Sequence, residues 1–142
     1  MSAAKPTWNV GEELEERTLP PVTRLQLIKY AGASGDYNPI HTIDEAAEEA
    51  GLPGIIAHGM LTAATMGLPF SSYLEHGYVK GLQSRFSGMV YPGDEITIGA
   101  RVSEKEDSEE GRIYTFEVYA SNGESVVASG TVDFLVYEDW ME

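Results

Sequence analysis

Within "YAGASGDYNPIH", residues 30–41, an acid, an amide and an imidazole stand close together around one proline: Asp36, Asn38 and His41, with Pro39 between the last two. A carboxylate and an imidazole that share one water can activate it for attack and manage its proton, because imidazole takes up and returns a proton near neutral pH. The Asn38 amide lies between the two and can orient either. Pro39 fixes the local backbone that would hold them in register. The same residue types also form turns: Asp36 and Asn38 can simply cap one. On residue types alone the stretch reads as a turn before it reads as a site.

A second stretch, "IIAHGML" at residues 55–61, places Gly59 where a chain break becomes an apolar helix. An N–H at a helix start points outward and suits a developing oxyanion. A glycine kept for close packing fits the same spacing, and both readings stay open. His58 reads as a structural histidine and His76 as part of a surface turn. His41 and Asp44 lie about one turn apart, but two ligand types do not make a metal site, and none is expected. GxGxxG, GxxxxGK[ST] and GxSxG are all missing from the sequence, and no strand-turn-helix elbow presents a serine.

The elements that must carry these residues follow from periodicity. "TRLQLIKYA", residues 23–31, predicts a short helix with Thr23 and Gln26 at capping-box spacing and Val22 stapled to Leu27; the glycines of "GASG" end it. Thr42 and Glu45 repeat that spacing before "DEAAEEA", and Gly51 supplies the stop. "GLPG" breaks the chain. A buried helix is then expected from about Gly59 to Leu74, kinked or divided at Pro69.

From residue 77 onward the pattern is that of strands. Ile96, Ile98, Ala100 and Val102 share one face, as do Tyr114, Phe116, Val118 and Ala120. Val126, Ala128, Val132, Phe134 and Val136 form a third such row, with "SNGE" at 121–124 as the turn before it. "YPGDE" is a turn into a strand beginning at Glu95. One long apolar helix followed by an antiparallel meander gives an α+β class, with residues 1–142 as a single domain. The helix is polar on neither face. The sheet covers one side, and the other calls for a second subunit.

Composition narrows the partners. An apolar fraction of 42% excludes a disordered chain, and no run reaches the roughly 18 apolar residues of a membrane helix. There is no cysteine, and the first residues lack the order of a secretory signal, so a cytoplasmic protein without membrane partners is expected. Nine Lys and Arg against 23 Asp and Glu leave a net charge of −14, which repels phosphate backbones and makes nucleic acid an unsuitable partner. An anionic ligand must therefore meet a local cluster of cations, and Lys80, Arg85 and Arg101 are candidates.

"YAGASGDYNPIH", "AHGML" and the later "SRFSGMVYPGDEI" together resemble the MaoC-like (R)-specific enoyl-CoA hydratases, or hydratase 2 family, over about residues 8–136. The resemblance implies a hot-dog fold, an antiparallel sheet wrapped around a long central helix, with dimers formed side by side. It also implies reversible syn addition of water to trans-2-enoyl thioesters of CoA or acyl-carrier protein, with no cofactor. The family's water-holding aspartate and histidine fall on Asp36 and His41, its motif asparagine on Asn38, and its oxyanion-hole glycine on Gly59. Asp36 is then the expected base on the water and His41 the supplier of the C2 proton, acting as a coupled pair. This sequence departs from many relatives at Ile43, where they carry an acid.

Three rivals stand beside that reading. The catalytic subunit of a heterodimeric (3R)-hydroxyacyl-ACP dehydratase would carry the same motif and need a sister chain. A hot-dog thioesterase would need an acid or a nucleophile-activating group on the central helix, and "MLTAATMGLPF" has no acid. An acyl-CoA sensor would need no water-activating pair.

Overall fold

A computed structural model of the chain describes residues 4–138. The meander folds as expected: β3 (Thr97–Asp107), β4 (Gly111–Ser121) and β5 (Val126–Tyr137) lie side by side and antiparallel. β2 (Gly77–Phe86) adds to the far edge of β5, and the two-residue β1 (Arg17–Thr18) adds to β3. The sheet order is β1-β3-β4-β5-β2. The strands' alternation sends Ile98, Val102, Phe116, Val132 and Phe134 into one fully buried face.

The third row departs from the expected pattern at its first residue. Val126 is exposed and Val127 is buried instead. A register irregularity between Ala120 and Ser121 precedes it, so strict alternation begins only beyond the hairpin. The Val127 carbonyl accepts the N–H groups of Ser87 and Gly88, which cross over it. The hairpin itself closes as predicted, the Asn122 side-chain oxygen accepting from the Glu124 and Ser125 N–H groups.

The buried sheet face packs on the helical segment that follows residue 58. That segment is divided: α3 spans Gly59–Thr65, and a 3₁₀ helix spans Leu68–Tyr73. Pro69 is the cause, since it has no N–H to give the Thr65 carbonyl. Met66 and Phe70 are fully buried against the strands, Phe70 lying 4.8 Å from Phe116 and 5.7 Å from Phe134 between ring centroids. Trp8 closes the same core with edge-on contacts to Tyr73, Tyr114 and Phe116.

Before this core unit the chain forms α1 (Arg24–Ser34), a 3₁₀ turn at Pro39–His41, and α2 (Asp44–Glu49). Thr23 caps α1 as predicted, accepting the Gln26 N–H. The helix outruns its expected end, passing through Gly32 and stopping at Gly35, whose φ of 78° only glycine adopts readily. α2 starts one residue later than the capping box implied: Ile43 is the cap position and offers no side-chain bond, so Thr42 does not cap it. No helix among the described residues is long and apolar enough to cross a membrane.

Candidate active site

The stretch that leads from α1 into the 3₁₀ turn is held by side chains rather than by repeating structure. The Ser34 hydroxyl accepts the Asp36 N–H, Asp36 Oδ1 accepts the Asn38 N–H, and Asn38 Oδ1 accepts the Ile40 N–H. Three short polar residues in succession thus wind the chain into the 3₁₀ turn that delivers His41. Asn38 is exposed, and its oxygen is committed to capping that turn.

His41 is 7% exposed, and its Nδ1 lies 2.7 Å from the Ile56 carbonyl oxygen. A carbonyl only accepts, so Nδ1 carries a proton, and in the neutral form of the ring Nε2 presents the lone pair. Nε2 faces Asp36 Oδ2 at 3.7 Å, and half of the Asp36 side chain is open to solvent. That separation is too long for a direct hydrogen bond. A water about 2.8 Å from both atoms would subtend roughly 80° at its oxygen, so one water can donate to both.

Ile56 is held in turn. Its N–H reaches the Ile40 carbonyl, and the neighbouring Ala57 N–H reaches the Val90 carbonyl. Asp44 Oδ1 accepts the Ile55 N–H, and the same carboxylate meets Arg24 at 2.9 Å. The Arg24 hydrogen bond, with the Ile55 N–H second, holds the Asp44 carboxyl below its usual value.

Gly59 is the first residue of α3 and is exposed, so its N–H has no intrahelical partner. A side chain there would lie 3.1 Å from the Phe86 ring. The residue thus combines both properties that its sequence position left open, an outward N–H and a close packing neighbour.

His58 joins the cluster in a way its sequence position did not signal. Its ring stacks on His41 with centroids 3.9 Å apart, and its Nε2 is 3.2 Å from the Asp36 carbonyl oxygen. Only its place beside Gly59 hinted at this. Asp36, His41 and His58 bring one ligand-type atom each within 4.8 Å of one another. Their geometry does not suit one ion, however. Imidazole binds metals along an in-plane lone pair at about 2 Å, and the two stacked rings hold those lone pairs in separate planes inclined by only 24°, with centroids 3.9 Å apart.

Cavities and charges around the site are uneven. One cavity, of 710 Å³, lies among Glu13, Glu16, Glu117 and Arg101 and shares no residue with the Asp36–His41 pair. Its acids suit no anionic ligand. A smaller, more apolar cavity of 380 Å³ is lined by Ala57 and Leu61, on either side of His58 and Gly59, and reaches Thr65 and Val90. Lys80 and Arg85 lie on edge strand β2, whereas Arg101 on β3 pairs in register with Glu117 and is separated from β2 by two strands. The three candidate cations therefore form no single patch.

The family model described as "MaoC like domain" matches residues 6–123. The chain is 43% identical over 75 residues to a fatty acid synthase subunit beta of Aspergillus oryzae, covering 51% of this chain and 4% of that one. It is 46% identical over 54 residues to 3-hydroxyacyl-thioester dehydratase X of Mycobacterium tuberculosis, covering 34% of this chain and 19% of the relative. These curated relatives are thus much longer than the segment they share. Among solved structures, an (R)-hydratase from A. caviae involved in PHA biosynthesis superposes with a TM-score of 0.77 at 22% identity, covering 92% of this chain and 98% of the other. The shared architecture, a curled antiparallel sheet wrapped on a helix, is the hot-dog fold.

Proposed function

The chain belongs to the MaoC-like domain family, and from that premise we propose that it is a hydro-lyase, adding water reversibly to trans-2-enoyl thioesters to give (R)-3-hydroxyacyl products. The observation that carries the reading is the apposition of His41 Nε2 and Asp36 Oδ2 at 3.7 Å, with the proton of the neutral imidazole on the far nitrogen. The name of the mycobacterial relative, a 3-hydroxyacyl-thioester dehydratase, supports the same chemistry.

The tautomer sharpens the division of labour expected from sequence. A neutral His41 with Nδ1–H has no Nε2 proton to give, so it supplies the C2 proton only after taking one. In hydration, water held by Asp36 and His41 loses a proton to the pair as its oxygen bonds to C3. Negative charge moves to the thioester oxygen, where the Gly59 N–H stabilises it. The proton then returns to C2 from the same face, and the net change is syn addition of one water. Asp36 and His41 share that proton as a coupled pair. Acid–base help of this kind is worth about 10²–10⁴ in rate.

A second subunit belongs to this reading. Tyr37, Ile43, Met60, Phe86 and Met89 are all exposed, and each is adjacent to the cluster in sequence or through the Phe86–Gly59 or Val90–Ala57 contact. The free edge of β2 lies on the same element as Phe86. A second copy would cover these side chains, and a sister chain would do so in a heterodimeric dehydratase. Light scattering of the purified chain is expected to give a dimer; a stable monomer that is inactive until a partner is added would favour the heterodimer.

The deciding experiment follows loss of enoyl-thioester absorbance with crotonyl-CoA and a longer enoyl-CoA, wild type beside Asp36→Asn and His41→Gln. Activity is expected in the wild type, falling at least about 10²-fold in each variant without loss of fold. The longer substrate tests whether the cavity beside Ala57 and Leu61 admits an acyl tail. Near-normal turnover in both variants would remove Asp36 and His41 from the mechanism.

A further inference from the structure

We propose that His58 is a positioning residue of the site, tying the main chain at Asp36 to the His41 ring and to the start of α3; this rests on the hydratase reading. His58 is 1% exposed. Nε2 lies 3.2 Å from the Asp36 carbonyl oxygen. One face of the ring stacks on His41, with an interplanar angle of 24°. Tyr30 of α1 meets the ring at 4.8 Å in an edge arrangement. The His58 carbonyl accepts the Leu61 N–H at 3.1 Å, so the residue also anchors the first turn of the helix on which Gly59 stands.

Asp36 needs such an anchor. It is exposed and lies outside any helix or strand. Its bonds to Ser34 and Asn38 reach only two residues along the chain. The bond from His58 spans 22 positions and links the Asp36 main chain to the core segment. The bonds to Ser34 and Asn38 hold the spacing between Asp36 Oδ2 and His41 Nε2 only through local turn geometry.

The state of the ring supports a role beyond filling space. Because the Asp36 carbonyl only accepts, Nε2 of His58 carries the proton and Nδ1 is bare. Nδ1 is buried and has no hydrogen-bond partner among the described residues. An orphaned buried acceptor is destabilising, and an apolar side chain of similar size would fill the same space without one. The bond to Asp36 is what a histidine adds here.

The test compares His58→Leu, which removes the donor, with His58→Gln, whose amide N–H reaches about as far as Nε2 but has no ring. His58→Leu is expected to lower kcat by about 10²-fold, as a misplacement of about 1 Å does, with KM within about twofold and no fall in Tm. His58→Gln is expected to recover about tenfold of that loss, because it restores the tie to Asp36. Wild-type turnover in His58→Leu would overturn the proposal, as would a loss that only tracks the amount of folded protein, or a glutamine variant no better than leucine. Long-range ¹H–¹⁵N spectra of the free wild-type protein give a readout that needs no turnover. They should find the Nε2–H tautomer at His58 and the Nδ1–H tautomer at His41. The two failures are distinguishable: a wild type silent on both thioesters overturns the hydratase reading, whereas an Nδ1–H tautomer at His58 overturns this proposal whatever the activity.

Discussion

The sheet and the segment between Ser34 and Gly59 are stabilised in opposite ways. In β3, β4 and β5 every residue except Ser103 and Val127, which fall at register irregularities, pairs in a ladder on one or both sides, and the inward side chains share one continuous core. Removing one contact there leaves many others in place. The segment from 34 to 59 has no ladder. Apart from α2 and the 3₁₀ turn it is held by single ties, Ser34 to Asp36, Asp36 to Asn38, Asn38 to Ile40, His41 to Ile56 and Asp44 to Ile55, with the main-chain bonds of Ile56 to Ile40 and Ala57 to Val90 beside them. Redundant contacts fix a fold. A series of single ties fixes a few atoms and leaves Asp36 and Gly59 open to solvent, which is what a site admitting substrate requires.

The largest effect that separates the two regions is expected at Phe116. Its ring is fully buried and lies 5.0 Å from Trp8 and 4.8 Å from Phe70, centroid to centroid. Phe116→Ala should cost about 3–5 kcal/mol, a large share of the roughly 5–15 kcal/mol that holds a domain together. Urea unfolding should show this loss, while turnover per folded molecule stays near wild type. Asp36→Asn should do the reverse. A Phe116→Ala protein of normal stability but impaired turnover would erase the distinction drawn between the regions.

The same difference explains what was legible in the sequence. Alternation with a period of two needs only a list of apolar positions, so the rows at Ile96–Val102 and Tyr114–Ala120 could be read directly, and Pro69 announced the break in the central helix. The row at Val126 failed at its first residue because a bulge is a property of pairing, which one strand does not display. Asp36 and His41 offered an acid and an imidazole close together, but by type and spacing alone the stretch read as a turn, and it was the likeness of "YAGASGDYNPIH" to a family motif that singled them out. His58 did not stand out, because its role depends on a bond across 22 positions and a ring stack that no local pattern encodes. β1 is two residues long and leaves no period to detect. The Thr42 cap was misread because Asp44, the residue two further on, spends its carboxylate on Ile55 and Arg24 and draws the helix start toward itself.

Gly59 sits where the two regions meet, since its α-carbon packs against Phe86 of β2. A methyl group there would come within 3.1 Å of the ring edge, tight enough to move one of them. Phe86 is 48% exposed and can yield, so Gly59→Ala should fold with only a modest loss of stability. Loss of an oxyanion contact costs about 10²–10³ in kcat, and a displaced donor should cost a part of that. The double variant with Phe86→Ala decides between the two readings of this glycine. If removing the ring restores turnover, the glycine is there for packing. If the loss persists with the space relieved, the position of its N–H is what matters.

The smallest expected effect lies at Asp44, the outermost tie of the site segment. Its carboxyl is held below its usual value, chiefly by the Arg24 hydrogen bond and then by the Ile55 N–H. A carboxyl with a lowered folded value stabilises the folded state above its unfolded value, near 3.8, and loses that contribution as pH falls through the lower folded value. Asp44→Asn keeps an oxygen for the Ile55 N–H but gives up the charge facing Arg24. It should therefore lower Tm slightly at pH 7, and the gap from wild type should close as pH falls below 3.8 and through the lower folded value. The pair is solvent-exposed, so added salt should shrink the gap as well. Because Ile55 precedes the residue whose carbonyl holds His41, a fall in turnover at pH 7 larger than the change in Tm accounts for would show that this tie reaches the site. A gap that persisted unchanged at low pH would mean that the charge on Asp44 is not what the variant loses.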